Sequence, residues 1–450
     1  MAQPRYPRQS RCRLERLNTL RPTRRVQSEA GETEFFQDKT DQLRCAGVSV
    51  YRRRIKHRSG IAGYLIPGCP ETFQYFQKGA GSEKEKSEYE FRQGHGQGHG
   101  KQSFRDKHQK IRAFRQGDIL VIPAGVAFWA YNNGKAPLET ITVADTSSRF
   151  NQLDNDHRQF QLAGSQRGVG ESKNSSNILR AFKTESLAES LGASRGLAEK
   201  IQKEDSRGEI VTVKEGLDLA WPFAGKGEED EPERKREEEQ GGSRGGKQSN
   251  GVEEIFCSSR LIENIDNPRQ ADVYNPLAGR ITEINSLKLH SLRYIKLSAV
   301  RGVLRKKTIV APHWNLNSHS LVYVTSGSAF VEVADDEGKL VFGEKLQQGQ
   351  LLFIPQNYVV LKRAGEDGFE FISFKTNDNP LFSQFNGKSS ILKGLPKDVV
   401  ATSYRISWEE AKQLKYARAD QLALFQESSQ EQQHRSLNIG AAAIRELLNQ

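Results

Sequence analysis

The chain has 450 residues, enough for two or three cores. It contains no run of about 18 apolar residues that could cross a membrane as a helix. Its formal charge of +11 comes from Lys and Arg mixed with Asp and Glu. About 43 basic and 34 acidic residues precede Gly251 and about 24 and 22 follow, so the excess lies in the N-terminal half; without a nucleic-acid motif beside it, a solvated surface is favoured over a nucleic-acid groove.

Residues 1–17 hold no apolar stretch of signal-peptide type, which fits either a cytosolic protein or a secretory one whose signal has been removed. Residues 1–44 are polar, Arg-rich and weakly periodic, and read as an N-terminal arm. Alternation begins after Ala46, in VSVYRRRIK (48–56), YLIPG (64–68), KIRAFRQGDILVIPAGVAFWAY (110–131) and LETITVAD (138–145). Val, Ile, Phe and Tyr at period two with Gly and Pro between them predict antiparallel strands. Between these runs, 79–109 is a Gly-, Glu- and Lys-rich insert expected to be disordered, in which His95, His99 and His108 are at most adventitious metal binders. Residues 177–203 change to helical spacing, with Thr184 as the expected N-cap.

A second polar stretch, 224–250, reads as a disordered linker. Strand patterning then returns in 289–310, 319–334, 340–355 and 369–376, followed by helical spacing over 395–425 with Ser407 as the expected N-cap. The two halves are copies. Residues 115–164 can be laid over 347–394 with Gln116-Gly117 on Gln348-Gly349 and Ile122-Pro123 on Ile354-Pro355. This predicts a mainly β chain with domains over 45–223 and 251–428, each a jelly roll with a small helical extension, and a tail over 429–450. Each extension's apolar face is either core of its own domain or a surface for a neighbouring subunit.

The four cysteines, Cys12, Cys45, Cys69 and Cys257, permit three complete pairings or four buried thiols, and their spacing excludes a compact zinc site. Asn250-Gly251 is by itself a common turn pair.

Several strings together resemble the legumin-type (11S) seed storage globulins of the bicupin group. They are CRLERLNTLRPTRRVQSEAGETEFF (12–36), RCAGVSVYRR (44–53), PGCPETFQ (67–74), GDILVIPAGVAFW (117–129), NGVEEIFCS (250–258), NPLAGRITEINSLKL (275–289), APHWNLNSHSLVYV (311–324) and PQNYVVLKRAG (355–365). The resemblance implies two cupin barrels. Cupin enzymes hold a metal with two histidines one residue apart, a glutamate five residues on and a third histidine beyond the second motif's proline, a donor set that leaves open positions for substrate. In the second barrel those positions read His313, Asn315, Ser320 and Val360, and the third-histidine position of the first reads Phe128. The resemblance therefore implies no catalytic residues, no metal and no other cofactor, with His313 as a hydrogen-bonded structural residue.

The resemblance also implies a disulfide between Cys12 and Cys45 and another between Cys69 and Cys257. The second would cross an asparaginyl endopeptidase site at Asn250-Gly251, where an exposed loop suits a protease. It implies a nitrogen and carbon reserve that passes through the secretory pathway to the protein storage vacuole. There it would assemble as trimers and then hexamers with itself or related globulins, with no nucleic-acid or membrane partner. A metal-dependent cupin enzyme and a small-ligand-binding bicupin are the alternatives. Two departures stand out. The N-terminal portion is net positive, and the first barrel passes from RIKHRSG (54–60) straight to IAGYLIPG, without about 20 residues found in the second, enough for two strands.

Overall fold

In the computed structural model of the chain, the described residues are 14–36, 42–55, 60–66, 69, 72–77, 103–108, 111–132, 137–147, 159–161, 177–203, 207–213 and 259–426. The first half runs β1 (Arg24–Ser28), β2 (Gly31–Phe36), α1 (Gln42–Ala46), β3 (Val48–Ile55), β4 (Gly60–Leu65), β5 (Thr72–Gln77), β6 (Ser103–His108), β7 (Ile111–Phe114), β8 (Asp118–Leu120), β9 (Ala127–Asn132) and β10 (Leu138–Asp145). Helices α2 (Thr184–Leu191) and α3 (Arg195–Lys203) follow. One sheet has the order β1-β2-β3-β10, a second β7-β4-β9, and β5 pairs with β6.

The second half runs β11 (Ile262–Asn264), β12 (Val273–Asn275), β13 (Gly279–Ile284), α4 (Leu292–Ile295), β14 (Ser298–Leu304), β15 (Thr308–Asn315), β16 (Ser320–Ala334), β17 (Leu340–Gln347), β18 (Leu351–Ile354), β19 (Val359–Lys375) and β20 (Phe382–Gln384). It closes with α5 (Ile391–Gly394), α6 (Lys397–Tyr404), α7 (Trp408–Tyr416) and β21 (Leu424–Gln426). Apart from β11, its strands form one ten-stranded sheet in which β16 and β19 each pair with several neighbours. The fold is the double jelly roll that the patterning predicts.

Four local expectations are corrected. The segment read as an arm carries the β1–β2 hairpin. Its signal is masked because the polar positions pair with one another, Arg25 with Glu34 at 2.5 Å and Arg54 with Glu32 at 2.6 Å. Within the polar insert, residues 103–108 form β6, since a backbone ladder does not require apolar side chains. Thr184 is the first residue of α2 rather than its cap; the cap is Lys183, without a side-chain bond, and Thr184 Oγ1 bonds Gln202 Oε1 at 2.8 Å to hold α2 on α3. The last helical residues expected, near Phe425, instead form β21 against β15. Ser407 does cap α7, in a capping box with Glu410.

Each half lends its lead-in segment to the other. Leu17 N donates to Val341 O at 2.9 Å, and Leu20 exchanges two bonds with Leu351 at 2.7 and 3.1 Å. In return β11 pairs with β8, flanked by bonds from Val121 N to Leu261 O and from Ile265 N to Gly117 O, both 2.8 Å. A single apolar core containing residues of both halves results. Gly117 and Gly349 both have positive φ, 87° and 80°, so the shared Gln-Gly step is a turn that glycine suits. At Gly117 a side chain would also strike Asp266, 2.6 Å from a built Cβ.

Register locates the departure in the first barrel. Ile55 pairs with Gly31 and Leu138 as Leu304 pairs with Gly279 and Phe369. Gly60 pairs with Phe114 and Asn132 as Ala329 pairs with Leu346 and Ala364. Between those anchors the first copy has 56–59 and the second 305–328. The first copy is thus shorter by about 20 residues, and the gap falls before Gly60 rather than after it. What has no counterpart is β15 and residues 320–327 of β16.

In the second half these strands cover β18 and both arms of β19. In the first half β8 pairs only with β11, β9 only with β4 and β10 only with β3 among the described residues. No residue of β10 is buried, whereas its counterparts Phe369, Phe371 and Ile372 are. Phe128 is 37% exposed, against 2% for its counterpart Val360. Unpaired edges and half-covered apolar faces open at low free energy. Limited proteolysis is therefore expected to cut within 60–145 before it cuts within 298–375. Grafting residues 305–328 between Ile55 and Gly60 is expected to delay that first cut, as followed by mass spectrometry of the fragments.

Candidate functional site in the second barrel

The four cupin ligand positions of the second half sit on three strands. β15 carries His313 and Asn315, β16 begins at Ser320, and β19 carries Val360, directly across from His313. Alternation along β19 aims Val360 and Lys362 at the same face, and both are buried, while Arg363 between Lys362 and Ala364 is exposed. The ladder also puts Lys375 opposite Ser320. Two lysines that the motif does not contain therefore point at the place where its ligands converge.

The hydrogen bonds define what each group does. His313 Nδ1 lies 2.7 Å from Ala311 O. A carbonyl only accepts, so the proton is on Nδ1 and Nε2 is left as an acceptor. Lys362 Nζ lies 3.4 Å from that Nε2 and 5.6 Å from the Phe371 ring centre. Lys375 Nζ donates to Asn315 Oδ1 at 2.9 Å and to Ser320 Oγ at 2.6 Å. Asn315 Nδ2 also donates to Ser320 Oγ, at 2.8 Å. The residues at three of the four ligand positions thus serve lysine amines, and Val360 offers no donor atom.

Burial, with Lys362 as the next cause, holds His313 well below the usual imidazole range. Burial also pushes the Lys362 ammonium down to about 7, helped by Lys375. Lys375 falls to about 8, burial outweighing the opposite pull of Glu283. Glu283 is itself pushed upward, first by burial. Chemically this is a neutral imidazole beside two amines whose protonation is lost through the neutral-to-alkaline range. Among the described residues no group of three His, Cys, Asp or Glu side chains is placed to hold a metal.

The first half cannot mirror this arrangement. Because β15 has no counterpart there, three of the four positions are missing, and only Phe128 remains, paired with Tyr64 as Val360 is with Val333. Elsewhere, Cys45 and Cys69 are both disulfide-bonded. Cys12, Cys257, Asn250 and Gly251 lie outside the described residues, as do His95 and His99, while His108 ends β6.

Comparison with known proteins places this geometry in a family. The cupin family model matches residues 17–168 and 263–412. Cocosin 1 of Cocos nucifera is 45% identical over 92% of this chain and 88% of its own length. Glutelin type-A 1 of Oryza sativa subsp. japonica is 42% identical over 92% and 87%. The crystal structure of coconut allergen cocosin superposes with a TM-score of 0.76 at 43% identity, covering 92% of this chain and all of that one. Procruciferin, the 11S globulin of Brassica napus, gives 0.76 at 34% identity over 94% of this chain. The chain belongs to the 11S seed storage globulins of the cupin family. Its function is storage.

In this globulin the sequence motif pointed to the right strands but missed Lys362 and Lys375. The signal was there in the period of VVLKRAG, where Lys362 stands two residues from the inward Val360. A lysine whose ammonium is depressed by folding binds fewer protons in the native state than in the unfolded one, so its contribution to stability is greatest near its unfolded value and declines as pH falls. For Lys362 that window runs from the ordinary 10.5 down to about 7. Lys362→Met is therefore expected to stabilise the second half by about 1–4 kcal/mol below pH 7 and by progressively less toward pH 10, measured as the wild-type-to-variant difference in thermal unfolding.

Proposed function

We propose that this globulin is a non-catalytic nitrogen and carbon reserve, with domains over 45–223 and 251–428 and, joined to the first by their sheet, β1 and β2 of the N-terminal segment. The observation that carries the non-catalytic reading is the pair of lysine amines placed on the acceptor atoms Asn315 Oδ1, Ser320 Oγ and His313 Nε2. Purified protein is expected to contain no stoichiometric iron, manganese or zinc by elemental analysis, and one metal ion per chain would overturn the reading.

The finer steps follow the family. The chain is made in the secretory pathway, oxidised to Cys12–Cys45 and Cys69–Cys257, assembled as trimers, carried to the protein storage vacuole, and cut by asparaginyl endopeptidase at Asn250-Gly251 before hexamers form. Disulfide-bonded Cys45 and Cys69 support the oxidising route. Exposed apolar side chains on both helical extensions support assembly: Phe182, Leu191 and Leu197 on the first, Val399, Trp408 and Leu414 on the second. Two different apolar surfaces on one chain suit a head-to-tail ring. The mature protein is expected to run as one band near full size on an unreduced denaturing gel and as two when reduced. Two bands without reductant would refute the Cys69–Cys257 pairing.

A further inference from the structure

Among the described residues, the Lys362 and Lys375 ammonium groups have more N–H groups than bonded acceptors. A lysine ammonium carries three N–H groups and a serine hydroxyl one O–H. Among the described residues, Lys362 Nζ has His313 Nε2 as its one hydrogen-bond neighbour, at a long 3.4 Å. Lys375 uses two of its three donors, on Asn315 Oδ1 and Ser320 Oγ. Ser320 Oγ accepts from both Lys375 and Asn315, which leaves its own proton to donate. The nearest carboxylate in the cluster, Glu283, accepts from Asn285 Nδ2 at 2.8 Å and hydrogen-bonds neither lysine. Among the described residues, the unused polar hydrogens of the cluster are bonded to no acceptor.

Depth and charge narrow what that acceptor is. Lys362 lies at the bottom, 5% exposed, whereas His313, Lys375 and Glu283 are only partly buried. Lys362 is therefore the deepest of the four side chains, and the other three stand nearer the solvent. With both lysines protonated and Glu283 ionised, the surplus is one positive charge, which a single negative charge cancels. The amines act as point charges without the planar fork of arginine, so the single surplus charge favours a monoanion over a phosphate dianion. We infer that the second barrel binds a small monocarboxylate of acetate size, its two oxygens accepting from Lys362 Nζ, Lys375 Nζ and Ser320 Oγ.

The charged and titratable groups facing the anion are Lys362, Lys375, His313 and Glu283. His313 stays neutral through the neutral range, being held well below its usual value. Lys362 and Lys375, at about 7 and about 8, gain their protons as pH falls through that range, so affinity rises in the same direction. The test uses the full-length globulin and sodium acetate against sodium chloride at matched ionic strength. Isothermal titration at about pH 6.5 is the direct readout, with thermal unfolding beside it. Saturable acetate binding is expected at one site per chain, weakened at least tenfold in Lys362→Met and in Lys375→Met, and weaker at about pH 9 than at about pH 6 in the wild type. Inorganic phosphate is expected to bind more weakly than acetate. No saturable acetate binding to the wild type overturns the inference, and that arm needs no variant to fold. Binding undiminished in both lysine variants, equal at the two pH values, or tighter for phosphate than for acetate overturns it as well.

Discussion

The exchange of lead-in segments between the halves is the constraint on which the rest of the molecule depends. Leu17 and Leu20 are buried against the second barrel, and Leu261 and Ile265 against the first. Each such side chain removed from water contributes about 1.5–3 kcal/mol. Because the donated segments also complete the edges of β8 and β18, neither barrel presents those edges to solvent on that side. Neither half can be separated from the other without opening both.

That reciprocity explains how the first half holds its shape without two of its strands. Its sheet β1-β2-β3-β10 is tied to the other half by a polar bridge as well as by apolar contact. Arg52 Nη1 donates to Tyr323 Oη at 2.9 Å, and Tyr323 Oη donates to Glu139 Oε1 at 2.9 Å. Arg52 also pairs with the buried Glu34, whose carboxyl is lowered by Arg52 and Arg25 despite its burial. The equivalent arginine of the second half, Arg301, finds Glu370, Asp266 and Thr325 instead. Tyr323 belongs to the part of β16 that has no partner copy, so the bridge runs one way: the complete half supports the shortened one.

The double barrel was legible because its strands alternate and because Gln-Gly, then Ile-Pro, recurs in both halves. The missing stretch was legible from the same comparison, although only the ladder registers of Ile55 and Gly60 place it. What escaped reading shares one cause. The hairpin β1–β2, β6 and the inward lysines are all polar sequence in structured positions. Composition alone reads such residues as surface. Lys362 and Lys375 were hidden for the further reason that a family motif directs attention to the residues it names, and these two stand outside it.

Losing the counterpart of β15 has a consequence for the history open to this chain. In the complete barrel, a metal-binding set would need substitutions at Asn315, Ser320 and Val360 together with removal of the lysines, because any new ligand added alone would meet a lysine amine. In the shortened barrel there is no strand on which a ligand pair could reappear. Point mutation can still revise the one; the other has passed beyond its reach, and that barrel is left free to vary only as scaffold.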